Sequence, residues 1–433
     1  MDLHSDFHGQ SLEDWLSYLE TVHSRAIDPT LDRMLAVAGD LDLSPLKQSR
    51  IVTVTGTNGK GSVTGLLAAL LSAEGHSCNL YNSPHLMRFH ERITLQGRPV
   101  STKELLSAFE ELEEIRRRRG VTLTFFEFTT LAAFMIFSRQ PAEFLILEVG
   151  MGGRFDSVNI LDAEVAVITN VALDHCAYLG DTREEIAYQK AGILKKGGVM
   201  VYGEADMPQS ARKVAEELAS DLLCRGRDYD LRIRDGVFDW QDLREPARSV
   251  EGIPLPTVPA ENAATVLAAL SALRIFPEPG LIRRVIRDFA MPGRFQKIQE
   301  HPPVYADVGH NPHAFRYLVS RIRKLREQEP ELEVILVIGM LRDKDYTEAL
   351  YLISQEAVHL HLCTLYGPRG ETGEKLAQAA RSFQNCQVSS YNSVQEGLKA
   401  ALAEASGKKC PLVLAAGSFL TVQAVLSVLG RES

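Results

Sequence analysis

No stretch of this chain approaches eighteen consecutive apolar residues, so the sequence predicts no membrane-spanning helix. The first residues, MDLHSDFHGQSLEDW, lack the apolar core of a secretory signal. Cysteine is scarce. The six residues at 78, 176, 224, 363, 386 and 410 include no Cys-x-x-Cys pair, which speaks against a zinc ribbon or a disulfide framework and suits a reducing cytosol, giving a cytoplasmic expectation. An excess of positive charge is also missing. With Lys and Arg at 47 against Asp and Glu at 56, the net charge of −9 argues against nucleic acid as the main partner. The single dense basic run, Arg116 to Arg119, follows EELEEI and sets Glu113 against Arg117 and Glu114 against Arg118 at i,i+4, which predicts a solvated helix face. Internal repeats and low-complexity tracts are absent.

What remains is an ordinary globular composition, 45% hydrophobic and 24% charged, spread over 433 residues, long enough that two domains are expected. Strand-like and helix-like patterns alternate. A capping pair, Ser11 with Asp14, opens a helical stripe of Leu12, Trp15, Leu16 and Leu19. Continuous apolar runs at 51–54, 144–149, 164–169 and 198–202, separated by helical segments such as 126–138, predict a largely parallel sheet covered on both faces. The stretch 225–258 is turn-rich and predicts a small antiparallel excursion, followed by a helix at 260–273. After MPGRF at 291–295 the alternation restarts: strands at 303–307, 333–338, 359–363 and 412–416, helices at 313–326, 346–356, 373–382 and 419–429. The expected division is a first domain over 1–290, a hinge at 291–296 and a second α/β domain over 297–433.

Chemistry-bearing residues fall at the ends of the predicted strands, where open parallel sheets bind ligands. The first group is Gly56-Thr-Asn-Gly-Lys-Gly-Ser62, between the strand at 51–54 and a helix predicted to start at Ser62. Glycines, Lys60 and a helix N-terminus favour a polyphosphate. The spacing departs from the usual phosphate loop, because Gly61 rather than Ser or Thr follows the lysine and no glycine precedes Gly59 by five positions. Glu148 ends FLILE, a suitable place for a magnesium ligand, since that ion prefers oxygen donors; a helix cap or ion-pair residue is the structural alternative. Asp174-His175 lies beyond EVAVITNVAL, Ser83 in a Pro-stiffened turn, and Lys190 before a Gly-rich turn. Taken singly, His175 reads as a polar loop residue and Lys190 as a surface lysine. In the second unit, Asp307-Val-Gly-His-Asn-Pro312, Gly339-Met-Leu-Arg-Asp-Lys-Asp345 and Ala416-Gly-Ser-Phe419 follow strands in the same way, which suggests a site closed between domains.

Taken together, TGTNGKGS (55–62), SPHL (83–86), FEFTT (126–130), LEVGMGGRFDSVN (147–159), ITNVALDH (168–175), KAGI (190–193), PGRF (292–295), DVGHNP (307–312), GMLRDKD (339–345) and GSF (417–419) resemble, in order, the folylpolyglutamate synthase/dihydrofolate synthase family of the Mur-ligase superfamily. The resemblance runs from Trp15 to the last helix. It implies an α/β fold, a P-loop domain with a mostly parallel sheet followed by a smaller Rossmann-like domain, with the active site in the interdomain cleft. It implies an ATP-dependent ligase that joins L-glutamate to dihydropteroate or to the γ-carboxylate of a reduced folate through an acyl phosphate. ATP phosphates should lie on Gly56, Thr57, Asn58, Gly59, Lys60, Gly61 and Ser62, with Asn262, Arg294, Asp307 and His310 also on the nucleotide. Ser83, Glu148 and His175 match magnesium ligands, and Lys190 matches a lysine carried as a carbamate that serves a second Mg²⁺. Ser83, Pro84, His85 and Leu86 belong beside the pteridine, and Asp343, Lys344, Asp345 and Ser418 to the glutamate site. A monomer is the implied state, with no nucleic-acid or membrane partner. Two departures stand out: Gln189 where the family often has Glu, and DVGHNP for the commoner DGAHNP. Two rivals make different predictions. A Mur-type ligase acting on a UDP-linked peptide would carry an extra N-terminal domain, whereas about 50 residues precede this phosphate loop. A non-catalytic ATP-binding protein on the same scaffold would have lost Lys60, Glu148, His175 or Lys190, and all four are present.

Overall fold

The computed structural model describes residues 10–25, 27–383 and 386–430. The chain divides into two compact units. The first runs to Leu255 and resumes over Ala260–Phe289; the second takes Pro256–Pro259 and resumes at Ala290.

The first unit is built on eight strands: β1 (Arg50–Thr55), β2 (Cys78–Tyr81), β3 (Ile93–Leu95), β4 (Arg98–Pro99), β5 (Phe144–Glu148), β6 (Val165–Ile168), β7 (Val199–Tyr202) and β8 (Asp221–Cys224). Their order is β4-β3-β2-β5-β1-β6-β7-β8. All neighbours from β2 to β8 pair in parallel, while β3 and β4 are antiparallel. Side chains alternate faces along a strand, and here both faces are dry. In β5, Leu145 and Leu147 join a core with Trp15, Phe109 and Phe128, whereas Phe144 and Ile146 join a second core with Leu66, Leu70 and Leu267. That two-sided burial explains why FLILE shows no polar alternation. Each fully buried Leu or Phe contributes roughly 1.5–3 kcal/mol.

A separate antiparallel sheet, β9 (Tyr229–Arg234), β10 (Val237–Asp242) and β11 (Val250–Pro254), forms in the turn-rich stretch. Asp235-Gly236, both at positive φ (47° and 79°), makes the two-residue turn between β9 and β10. Trp240 Nε1 donates to the Ala264 carbonyl at 3.1 Å, seating this sheet on the helix Ala260–Ala272.

The second unit has six strands: β12 (Gln296–Gln299), β13 (Val304–Ala306), β14 (Glu333–Ile338), β15 (His359–Cys363), β16 (Gln387–Tyr391) and β17 (Pro411–Ala416), in the order β12-β13-β17-β14-β15-β16. Among the described residues, β12 alone pairs antiparallel in this sheet.

Three local expectations change. The helix after the phosphate loop begins at Lys60, because Gly59 at φ 83° takes the cap position and leaves Lys60 and Gly61 in the first turn. Strand β16 and the helix Val394–Ala405 went unread in the sequence. QVSSY is a half-exposed edge strand with little apolar pattern, and Gly397 interrupts the helical stripe. The Glu113 carboxylate is not solvated. Only 4% of the residue is exposed, and the carboxylate accepts from both Arg116 nitrogens (2.7 Å each), Arg117 Nε (2.6 Å) and the Tyr18 hydroxyl (2.6 Å). One face of the helix Thr102–Arg119 packs inward and carries the ion pair with it, while Arg118 and Arg119 reach Asp40.

Candidate active site

In the first unit the loops leaving β1 and β6 turn to opposite sides of the sheet, so the crevice beyond these adjacent strands is a topological switch point. The loop after β1 is fastened to the segment after β6. Asn58 N donates to Asn170 Oδ1 (2.9 Å), while Asn170 Nδ2 and Thr169 Oγ1 both donate to Asn58 O (2.9 and 2.6 Å). Thr57 is held through its N–H on Asn170 O (3.0 Å) and by Ala172 N donating to its hydroxyl (3.0 Å). Gly56 lies so close to Thr169 that a β-carbon there would be 1.8 Å from its hydroxyl oxygen. Lys60 folds back, Nζ donating to Gly56 O at 3.1 Å. The sequence singled out residues 56–62; the clamp formed by Thr169 and Asn170 it did not, because those side chains act across the sheet.

Gly59 faces Asn262. A β-carbon at Gly59 would stand 2.7 Å from both amide heteroatoms of Asn262. The Asn262 side-chain nitrogen is buried and has no hydrogen-bond acceptor among the described residues. An unsatisfied buried donor costs about 1–3 kcal/mol. A ligand oxygen reaching the Asn262 amide would supply the missing acceptor, and the absence of a side chain at Gly59 is what lets that amide stand against the phosphate loop. This fits an anionic nucleotide.

The carboxyl ends of β5 and β2 meet beside that loop. Glu148 pairs in register with Val54 of β1, and its Oε2 accepts from Ser83 N at 3.0 Å. Two of the candidate metal ligands are therefore in contact, and a buried carboxylate is a hard oxygen donor of the kind Mg²⁺ selects. The turn after β2 is shaped by residues that sequence reasoning missed. Glu91 accepts from Leu86, Met87 and Arg88 N–H (2.6–2.8 Å), and Arg92 Nε donates to His85 Nδ1 at 2.8 Å. Burial, then the neighbouring Arg92 charge, push His85 down to about 4, so it is neutral near pH 7 with its proton on Nε2.

Lys190 is 3% exposed, on the helix Arg183–Ala191. Burial pulls its ammonium down to about 7, Lys60 adds to that, and Asp174 and Asp156 oppose it. Asp156 is buried as well, accepting from Met151 N (2.9 Å) and Val158 N (3.1 Å); desolvation raises its carboxyl to about 6 against the pull of those N–H groups and Lys60. Lys60, Lys190, Asp156 and Asp174 thus form one electrostatic group. Asp156 was quoted within a motif but not given a role. His175 takes a left-handed conformation (φ 53°), its Nε2 3.9 Å from Asp174 Oδ1. Gln189 uses its carbonyl to accept from Arg154 N (2.8 Å), tying the Gly-rich loop after β5 to the Lys190 helix.

In the second unit, three adjacent strands, β13, β17 and β14, end in the three candidate loops. Asp307 accepts from Phe295 N (2.8 Å) and Gly309 N (2.7 Å); burial raises its carboxyl and Arg294 opposes the rise. The Arg294 guanidinium lies 5.9 Å from the Phe419 ring centroid, and its buried Nε lacks an acceptor. His310 Nδ1 sits 3.0 Å from the Val308 carbonyl; as donor there it leaves Nε2 as an acceptor. The candidate glutamate residues are spoken for locally. Asp345 caps the helix Tyr346–Ser354, accepting from Glu348 N at 3.2 Å. Ser418 caps the helix Phe419–Val428, accepting from Thr421 N at 3.0 Å. Asp343 pairs with Arg369 at 2.7 Å, and Lys344 is buried.

Known proteins share the family and the fold. Residues 54–229 match the Mur ligase middle domain, and residues 293–419 match the Mur ligase glutamate ligase domain. The chain is 40% identical to the dihydrofolate synthase/folylpolyglutamate synthase of Escherichia coli K12 over 419 residues, covering 96% of this chain and 95% of that one. It belongs to the dihydrofolate synthase/folylpolyglutamate synthase family. Among solved structures, E. coli FolC in complex with DHPP and ADP superposes with a TM-score of 0.90 at 39% identity, covering 98% of each chain. The Yersinia pestis bifunctional enzyme complexed with AMPPNP and Mn ion gives 0.88 at 38% identity, again covering 98% of each chain. Among the described residues no helix is long and apolar enough to cross a membrane.

Proposed function

We propose that this ATP-dependent ligase activates the carboxylate of dihydropteroate, and the γ-carboxylate of reduced folates, for attack by L-glutamate, using the residues gathered at the strand ends of the first unit. The observation that carries this assignment of residues is the buried Asn262 amide, which packs directly against Gly59 of the phosphate loop and whose nitrogen lacks an acceptor among the described residues. A carboxylate is a poor acyl donor because its oxygen is a poor leaving group. Transfer of the γ-phosphoryl group of ATP to a carboxylate oxygen gives an acyl phosphate and ADP. The glutamate amine then attacks the carbonyl carbon, phosphate leaves, and the amine loses a proton. Gly56 to Ser62 and Asn262 hold the phosphates, and Lys60 offsets charge on the group in transfer. From the second unit, Arg294, Asp307 and His310 are assigned to the nucleotide.

Glu148, Ser83, His175 and a carbamylated Lys190 are the residues that would hold two Mg²⁺ ions, which when bound neutralise phosphate charge and align the reactants. Lys190 suits that modification. A neutral amine attacks CO₂ to give a carbamate with release of one proton, and a lysine pulled down to about 7 is largely neutral at slightly alkaline pH. Ser83, Pro84, His85 and Leu86 are assigned to the pteridine, with His85 offering an uncharged Nε2–H. Asp343, Lys344, Asp345 and Ser418 are assigned to glutamate, shaping that loop through the caps and the ion pair described above. We infer a cytoplasmic monomer. The six cysteines are free, which suits a reducing compartment, and every assigned residue lies on one chain.

The test is a substrate panel. Purified chain with Mg-ATP and glutamate should release phosphate when given dihydropteroate and when given a reduced folate. Release with only one of them narrows the activity to that acceptor. No release with either defeats the reading.

A further inference from the structure

Strand β15 carries His359 and His361 two residues apart, so both imidazoles stand on one face. Glu404, in the last turn of the helix Val394–Ala405, lies across that face. Its Oε2 is 2.7 Å from His359 Nδ1 and 3.1 Å from His361 Nε2. The three donor atoms lie within 4.8 Å of one another. Each ring's other nitrogen has its own hydroxyl on β16: His359 Nε2 with Ser389 Oγ (2.9 Å) and His361 Nδ1 with Tyr391 Oη (2.9 Å). The rings are therefore oriented independently of the carboxylate, as the outer hydrogen bonds of metal-bound histidines do.

We propose that His359, His361 and Glu404 form a divalent transition-metal site, with Zn²⁺ as its preferred ion. Two imidazoles and a carboxylate suit zinc far better than Mg²⁺ or Ca²⁺, which select oxygen donors. Around a tetrahedral ion at about 2.0–2.1 Å, neighbouring ligand atoms stand roughly 3.3 Å apart, so the 2.7 and 3.1 Å spacings of Glu404 from the two rings need to open by only a few tenths of an ångström. Glu404 is 24% exposed, giving the ion a route in and a water its fourth position. The nearby cation Lys408 is engaged by Glu333 at 2.8 Å. The site lies at the amino-terminal half of β15, away from the carboxyl end where the candidate loops leave, and it ties the C-terminus of one helix to the sheet. Its role is to stabilise the second unit, and it does not depend on the reaction assigned above.

Co²⁺ is the probe. Metal-free full-length chain, without nucleotide or Mg²⁺, should bind one Co²⁺ with the visible d–d bands of a four-coordinate nitrogen–oxygen site and no thiolate charge-transfer band. Zn²⁺ should displace it and, at about a hundredfold its dissociation constant, raise Tm by a few degrees. His361→Gln and Glu404→Gln should lose the bands and weaken binding beyond the about 10- to 100-fold typical of an outer-sphere change. Glu404→Gln, at a partly exposed position, is the variant expected to keep its far-ultraviolet dichroism. Glu148→Gln should leave the bands intact. Absent bands, thiolate bands, or equal Co²⁺ binding by Glu404→Gln each overturn the proposal.

Discussion

The strand-end loops of the two units treat polar residues in opposite ways. In the first unit, the side chains that shape the phosphate loop lie on the neighbouring strand's exit, so Thr169 and Asn170 hold Asn58. Lys60 bends back onto the Gly56 carbonyl, and Asn262 next to Gly59 keeps a buried donor with no acceptor among the described residues. In the second unit, Asp345, Ser418 and Asp343 are engaged by their own loops as two helix caps and an ion pair. A motif residue can serve by meeting the ligand or by fixing the backbone that meets it. Only the first leaves an unsatisfied group behind. Substitutions in the two units should therefore separate function from stability differently.

Lys60→Ala should have the largest effect, lowering kcat by about 100- to 1000-fold with Tm nearly unchanged. A steady-state phosphate-release assay beside a melting curve checks it; a loss of less than tenfold would remove Lys60 from the transfer step. Lys190 gives a pH test. Its folded value of about 7 lies below the ordinary lysine range, so the neutral amine predominates above pH 7 and is lost as pH falls through it. At fixed dissolved CO₂, a chain stripped of CO₂ and re-exposed should regain activity at a rate that drops about tenfold per unit below pH 7. Recovery independent of pH and CO₂, or full activity in Lys190→Ala, would remove the carbamate.

The two smaller effects bear most directly on the contrast between units. Asn262→Ala should weaken nucleotide binding about tenfold, the worth of one hydrogen bond, without lowering Tm, since its amide nitrogen has no hydrogen-bond partner among the described residues. Calorimetric ADP titration measures it. Ser418→Ala should do the reverse, costing about 0.5–2 kcal/mol of stability as a lost cap, with Ser418→Asp restoring Tm and the glutamate KM together. Restored stability with a KM still raised would make the hydroxyl a direct glutamate contact.

Much of this was legible in order and little of it in contact. Apolar runs such as FLILE revealed the buried parallel strands, and the loops after them followed from strand ends. Residues acting through long-range hydrogen bonds were not legible. Asn170 meets Asn58 across 112 positions, and Asp156 joins Lys60 and Lys190 only when three distant segments converge. Lys190, taken alone, reads as a surface lysine, since helical periodicity in REEIAYQKA does not say which charged residue is 3% exposed. The His359–His361–Glu404 cluster escaped for the same reason, its acid being 43 positions beyond the nearer histidine on an unread helix.

The central claim is that the γ-phosphoryl group passes onto the substrate's own carboxylate. Dihydropteroate labelled with ¹⁸O in that carboxylate tests it in a single turnover with glutamate and ATP. One labelled oxygen should appear in each phosphate released, carried across when the amine displaces the acyl phosphate. Phosphate emerging unlabelled, with all the label in the amide product or water, would contradict the account.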